Sequence, residues 1–377
     1  MKQLVLVGGG HAHVQVLAAL AAQAIAGTEV TLVTPFARQI YSGMLPGWIA
    51  GHYALDDCAL PLDALTQQAG MRLLLTSCSE IDLAARRLHC TNGDSLAFDA
   101  ISIDSGPVAA IDRLPGAAEH ALAIRPIEGF VAAWPGLLDR ARQGSFTLAI
   151  VGDGAAAIEL ALALQTRFAA EGLADCAITV IGSDPQPLPG LPFLLRRRAA
   201  RLLAERGIGY RGGKRVAALH ERQVELADGS RHATDAVLLA TGAAAPHWPA
   251  AAGLAVDGGG FIRVAATLQS ISHPCVFAAG DIAAYAEARP KSGVFAVRAG
   301  PPLAANLRAW CEGSRLQPWR PQRRALYLLS TGDDRALAAW GPFSAAGAWV
   351  WRWKDRIDRG FVARYGAHAR AARQGVA

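Results

Sequence analysis

The chain lacks any apolar run approaching the ~20 residues needed to cross a bilayer. Its six cysteines (Cys58, Cys78, Cys90, Cys176, Cys275 and Cys311) form no C-x-x-C and show no zinc-ligand spacing. Reduced, half-buried thiols are therefore expected, with neither a disulfide framework nor a metal site. Charge is scarce as well. Only 18% of the 377 residues are charged against 52% hydrophobic, which argues against long disordered stretches. The basic excess is local: from Trp349 onward seven basic residues face two acids, carrying five of the six net positive charges. The body of the chain is near neutral and is not expected to bind nucleic acid. An apolar strand begins at residue 3, leaving no room for a signal peptide, so a cytoplasmic protein is expected.

What is present is glycine, placed twice in the same way. Gly8-Gly9-Gly10 follows the apolar strand Leu4–Val7, and Gly152-Asp153-Gly154 follows Leu148–Val151. Helical segments follow each loop, at His11–Ala22 and Ala155–Ala169. A strand, a glycine turn and a helix start together make a phosphate site, because backbone N–H groups and the positive helix end converge there. Some ninety residues past each loop comes a near-repeat, Asn92–Gly106 (NGDSLAFDAISIDSG) and Asp228–Gly242 (DGSRHATDAVLLATG). One dinucleotide-binding unit is thus expected twice, with Gly8, Gly10 and Gly106 in the first copy and Gly152, Gly154 and Gly242 in the second.

The first loop departs from the usual pattern at His13, where a third small residue normally allows close packing. The second strand ends at Thr34, where an acid normally holds the adenosine ribose. A threonine hydroxyl makes a weaker form of that contact. Downstream, Val276-Phe277-Ala278-Ala279-Gly280-Asp281 ends an apolar strand in Gly280-Asp281, placing a carboxylate for a flavin's ribityl hydroxyls.

With this hexapeptide and Ala240-Thr241-Gly242 the chain resembles the pyridine nucleotide-disulfide oxidoreductase superfamily, which implies FAD in the first unit. Val7–Val14 (VGGGHAHV), Tyr41–Gly47 (YSGMLPG), Lys291–Arg298 (KSGVFAVR) and Trp351–Asp355 (WRWKD) carry a sharper likeness. These resemble the flavoprotein found fused ahead of selenide, water dikinase, with type II NADH dehydrogenases and sulfide:quinone oxidoreductases as more distant relatives. The resemblance implies that Ser42, Gly43 and Leu45 line the flavin or its pyrophosphate. It also implies that a helix from about Val294-Phe295 aims its N-terminus at the flavin, with Lys291 as a nearby charge. His11 belongs to the flavin neighbourhood or is simply a polar residue of the first helical turn.

The second loop is better formed, and by the resemblance Glu159 sits near a nicotinamide. Asp153, however, puts a carboxylate in the phosphate cradle, where it repels a pyrophosphate unless turned outward. The strand Ala177–Ile181 ends in Gly182-Ser183-Asp184, so Asp184 is the candidate for the ribose hydroxyls and would favour NADH. Arg196-Arg197-Arg198 reads as the solvated start of a helix over 194–205. Flavin and nicotinamide together imply hydride transfer to the flavin N5.

The acceptor is narrowed by absence. Residues 36–52 and the stretches near 120–135 and 285–300 hold no cysteine, which disfavours disulfide reduction and cysteine-based sulfide oxidation. The expected function is an FAD-dependent NAD(P)H oxidoreductase passing electrons to a small non-disulfide acceptor, a quinone among the candidates. The alternative is an accessory flavoprotein of selenium metabolism partnered with selenide, water dikinase.

At the C-terminus, 326–330 and 336–340 read as a hairpin. Trp349, Val350, Trp353, Ile357 and Phe361 then recur at helical spacing among basic residues. Such a helix packs at a core or dimer interface, the reading preferred here, or lies on the inner face of a membrane through 345–364. The fold expected is α/β with two Rossmann-like dinucleotide domains of the glutathione-reductase type. The FAD domain spans 1–108 and 236–310, the NAD(P) domain 109–235, and a hairpin-helix element 311–377.

Overall fold

The computed structural model describes the backbone of residues 1–374 and side chains through Gly366, so Arg370 and Arg373 lie outside the described side chains. Two five-stranded parallel sheets organise the chain. In the first, the strands run in the order Val276–Ala278, Ala100–Ile103, Lys2–Val7, Thr28–Thr34 and Arg72–Leu75. In the second, the order is Leu122–Ala123, Ala236–Leu239, Phe146–Val151, Cys176–Ile181 and Gly209–Arg211. The central strands are apolar because helices cover both sheet faces: Leu4 to Val7 and Leu148 to Val151 are all buried.

The near-repeat has a physical basis in this pairing. Asp99 and Asp235 stand just before the returning strands, and each carboxylate accepts a backbone N–H from the unit's first strand. Gln3 donates to Asp99 at 2.7 Å and Thr147 to Asp235 at 2.8 Å. Each Asp also returns its own N–H to the same residue's carbonyl at 2.8 Å. The polar turn ahead of each Asp joins the last strands of a three-stranded antiparallel meander, 78–97 in one unit and 216–233 in the other. Because Ala236–Leu239 pairs in the second sheet, that unit extends past the boundary expected at 235.

Each first strand leads through its glycine turn into a helix, α1 (His11–Ala22) and α2 (Ala155–Ala170). Gly8 and Gly152 both take positive φ, +90° and +135°. A side chain at either would run into the backbone of the neighbouring strand end, at Ser105 or Ala240. Helix α3 (Gly293–Glu312) crosses α1, where Gly300 leaves room for Gln15.

The C-terminal element has three antiparallel strands, Leu326–Ser330, Ala336–Trp340 and Phe343–Gly347, one more than the hairpin expected. Helix α4 (Ala348–Gln374) follows and closes over the junction of the two units. Among the described residues no helix is long and apolar enough to cross a membrane, and all six cysteines are free.

Candidate functional site

Two joined cavities run from one glycine loop to the other. The smaller, ≈ 440 Å³, is bordered by Gly8, Gly10, His11, Thr34, Gly106 and Asp281. The larger, ≈ 950 Å³, is bordered by Gly43, Gly152, Gly154, Glu159, Gly242, Lys291 and Val294. Ser42, Arg125 and Gly293 border both, so the spaces meet at the start of α3. Most residues expected at the two sites are therefore brought together along one continuous cleft. Leu45, Asp184, Gly280 and Phe295 border neither cavity. Leu45 is buried in the second unit's core. Asp184 is engaged by Arg196. Gly280 packs against Asp104, and Phe295 is buried in α3.

At the first loop the donors of α1 are already partly taken. Asp104, fully buried, accepts the backbone N–H of Ala12 at 2.8 Å and of His13 at 2.9 Å. Burial pushes its carboxyl up to about 7, against the pull of those two bonds. Asp104 was legible in principle as a carboxylate at the strand end where the aligned repeat has the small apolar Ala240. His13 does not loosen the helix. Its Nδ1–H donates to the Gly8 carbonyl at 2.6 Å and its Nε2 accepts the Ser102 hydroxyl at 2.8 Å, tying loop, helix and sheet together. Burial lowers both His11 and His13 to about 4, so both are neutral near pH 7.

The first site fits a flavin dinucleotide. The loop backbone borders the cleft, and three buried polar atoms of its lining residues have no partner among the described residues: His11 Nε2, Thr241 Oγ1 and Ser292 Oγ. Unsatisfied buried groups are costly in a folded chain unless a ligand meets them. Asp281, whose carboxyl burial pushes upward, is met by Arg125 at 3.3 Å. Arg125 borders both cavities, and no motif in the sequence marks it. Lys291 is held rather than solvated: its ammonium donates to the Ala283 carbonyl at 2.6 Å and lies 3.8 Å from the Phe261 ring centroid. Burial lowers its pKa.

The second loop leaves its helix end free. At Gly154 an added Cβ would meet nothing within 4 Å, so the glycine serves space outside the fold. Asp153 is held toward the end of the neighbouring strand, where it accepts the Ser183 hydroxyl at 3.3 Å and the Asp184 N–H at 2.8 Å.

The largest departure from expectation lies on α4. The apolar spacing predicts Trp349 and Trp353 on the packed face, yet they are 53% and 41% exposed, while Lys354 and Asp358 are only 7% and 5% exposed. Lys354 donates to Asp358 at 2.6 Å and to the Gly43 carbonyl at 2.6 Å. Burial disfavours its cation, but Asp358 and Glu159 more than offset this and the net shift is upward. Glu159 accepts the Ser330 N–H at 2.7 Å, and burial raises its carboxyl to about 7 against Lys354's attraction. One cation thus stands among two carboxyls; Asp358 holds it and Glu159 is left able to exchange a proton near neutrality. Phe361 stacks on Tyr41 with centroids 4.7 Å apart, and Tyr41 lies 5.3 Å from His11. The middle of α4 is thereby fixed beside the start of α1.

A pyridine nucleotide-disulphide oxidoreductase family pattern matches residues 2–300. An NADH dehydrogenase-like protein of Mycobacterium tuberculosis is 29% identical over 238 residues, 61% of this chain and 60% of that protein, so the chain spans about 60% of this relative's length. Demethylphylloquinone reductase NdbB of Synechocystis sp. is 26% identical over 325 residues, 82% of this chain and 78% of that protein. Among solved structures, the sulfide:quinone oxidoreductase of Aquifex aeolicus superposes with TM-score 0.79 at 19% identity, covering 98% of this chain and 92% of its own. NDH2 of Plasmodium falciparum, in complex with NADH, gives 0.79 at 12% identity, covering 96% and 97%. At such identities these two structures speak for the fold. The chain belongs to the pyridine nucleotide-disulphide oxidoreductase family, a family of oxidoreductases built around FAD and NAD(P)H.

Proposed function

We propose that this protein is an NAD(P)H:quinone oxidoreductase. The observation that carries the reading is the Glu159–Lys354–Asp358 cluster at the larger cavity, a buried proton store with no cysteine among the described residues lining that space. A quinone needs two protons with its two electrons; a disulfide acceptor would call for a thiol pair, and none stands here. Bound FAD would supply the two-electron relay between nicotinamide and acceptor. The chain's own residues do the rest. The Gly8–Gly10 backbone borders the space that would take the flavin pyrophosphate, Asp281 and Arg125 would hold its ribityl hydroxyls, and Ser42, Gly43 and Val294 would wall the ring. Glu159, with Lys354 beside it, moves the proton. Leu326, Leu328, Leu329, Ile357 and Phe361 give the same cavity an apolar wall suited to a quinone ring.

The route in is also apolar. Ile357 borders the cavity and is itself exposed, and around it the C-terminal element exposes Trp340, Phe343, Trp349 and Trp353. With the neighbouring arginines this face suits peripheral contact with an anionic membrane, where a lipid-soluble quinone resides.

The test is an anaerobic titration of the flavin-loaded protein with NADH and NADPH, followed by addition of a naphthoquinone. Bleaching by a nicotinamide and recovery of the flavin band with the quinone are the expected results. Bleaching without recovery would remove the quinone. Bleaching by selenide or sulfide but by neither nicotinamide would instead favour the selenium reading that the sequence resemblance carries.

A further inference from the structure

Dinucleotide-binding units read the adenosine ribose with a carboxylate at the end of the second strand. In the second unit that strand, Cys176–Ile181, is followed by Gly182, which has no side chain. Its place is filled from another direction. The Cβ of Asp153 lies 2.6 Å from where a Cβ on Gly182 would stand, with the Tyr210 hydroxyl at 2.8 Å and Asp153 Oδ2 at 3.0 Å. The carboxylate is fixed there: Oδ2 accepts the Asp184 N–H at 2.8 Å and the Ser183 hydroxyl at 3.3 Å. Its other oxygen, Oδ1, makes no hydrogen bond among the described residues, and both Asp153 and Ser183 border the larger cavity beside the open end of α2.

Asp184, the candidate named from the sequence, is occupied elsewhere. Its carboxylate binds Arg196 and accepts the Gln186 N–H at 3.0 Å, and its carbonyl accepts the Tyr210 hydroxyl at 2.9 Å. We infer that Asp153 has taken over the missing strand-end acid, so that the loop residue reads the ribose 2′-hydroxyl and repels a 2′-phosphate. This rests on the nicotinamide reading above and extends it to NADH over NADPH. Arg113, Lys214 and Arg215 border the same cavity and carry the opposite charge. Lys214 is paired with Asp228 at 2.5 Å. Arg113 and Arg215 are exposed, where solvent screens them. A carboxylate held by two bonds at the strand end outweighs two loose arginines at the rim.

The experiment is calorimetric binding of ADP-ribose and of 2′-phospho-ADP-ribose to the flavin-loaded protein, which reads the ribose without turnover. The native chain should favour ADP-ribose by about tenfold or more, the scale of a close like-charge contact. Asp153→Asn keeps an oxygen for Ser183 and the Asp184 N–H but removes the charge, and should strengthen 2′-phospho-ADP-ribose binding until the preference is lost. An ADP-ribose preference that survives in Asp153→Asn overturns the assignment. A native preference for the 2′-phosphate, abolished by Arg215→Ala, overturns it in favour of the rim arginines. If neither compound binds, the nicotinamide reading itself falls and takes this inference with it, an outcome distinct from lost selectivity.

Discussion

Glu159 shows what a single position gains from its surroundings. The loop spacing in the sequence brings it to the right turn of α2, but not its proton affinity, which comes from burial and the nearby Asp358 carboxylate, against the pull of Lys354 and the Ser330 N–H. If Glu159 supplies a proton to the acceptor, the protonated form is the active one. Acceptor reduction should then fall as pH rises through about 7, the value to which burial raises this carboxyl. Glu159→Gln keeps an acceptor for the Ser330 N–H and loses the proton. Quinone reduction should drop about a hundredfold, the usual scale for a lost general acid, and its pH dependence near 7 should vanish. Stopped-flow bleaching of the flavin by NADH should stay within about twofold, since that step asks no proton of Glu159. Equal losses in both half-reactions would place Glu159 in nicotinamide binding instead.

At the scale of elements, strands, loops and helices were legible because their signals are local. Apolar runs, glycine turns and the Asp-Ala repeat each correspond to one backbone arrangement, and the second sheet repeats the first down to the hydrogen bonds of Asp99 and Asp235. Helix α4 was legible as a helix, yet its faces were not. Periodicity assumes that apolar residues point inward, and here Lys354 and Asp358 do, because the two pair with each other and Lys354 also meets the Gly43 carbonyl across the junction. Two tryptophans are left outside in consequence, their rings stacked with centroids 6.4 Å apart. Being exposed, they add little to folding, so Trp349→Ala with Trp353→Ala should leave the melting temperature within about two degrees. If the face meets lipid, the same pair should lose most co-sedimentation with vesicles rich in anionic lipid. Unchanged sedimentation would assign the tryptophans to a protein partner, a second copy of this chain included. At the second loop, Gly154→Val should fold normally, because no atom stands within 4 Å of the added Cβ, yet should abolish nicotinamide binding while the flavin spectrum persists. Undiminished NADH bleaching in that variant would remove the second loop from the site.

For the molecule as a whole, what stayed illegible is the set of ionisable groups that folding buries where the two units meet. Comparing the two repeats singles out Asp104 as a departure, but sequence spacing could not show that it fills the end of α1, or that α4 sets a lysine between two carboxyls, since both depend on segments about ninety or more residues apart. These groups fix how stability follows pH. Asp104 and Glu159 are raised to about 7 in the folded chain, so their ionisation is a cost carried above pH 7 and relieved as pH falls from 7 toward 4. His11 and His13 are lowered to about 4, so their contribution is present above 6.5 and lost over the window from 6.5 down to 4. The two pairs oppose each other across nearly the same range, and the flavin-free protein should show a melting temperature that changes little between pH 7 and pH 5. Replacing both acids, Asp104→Asn with Glu159→Gln, removes one side of the balance. That variant should melt several degrees above the native chain at pH 8, by about the margin a few kcal/mol gives a chain of this size. Its melting temperature should then fall steadily toward pH 4 as the histidines take up protons. A double variant that tracks the native curve at every pH would show that neither carboxyl carries its proton in the folded state.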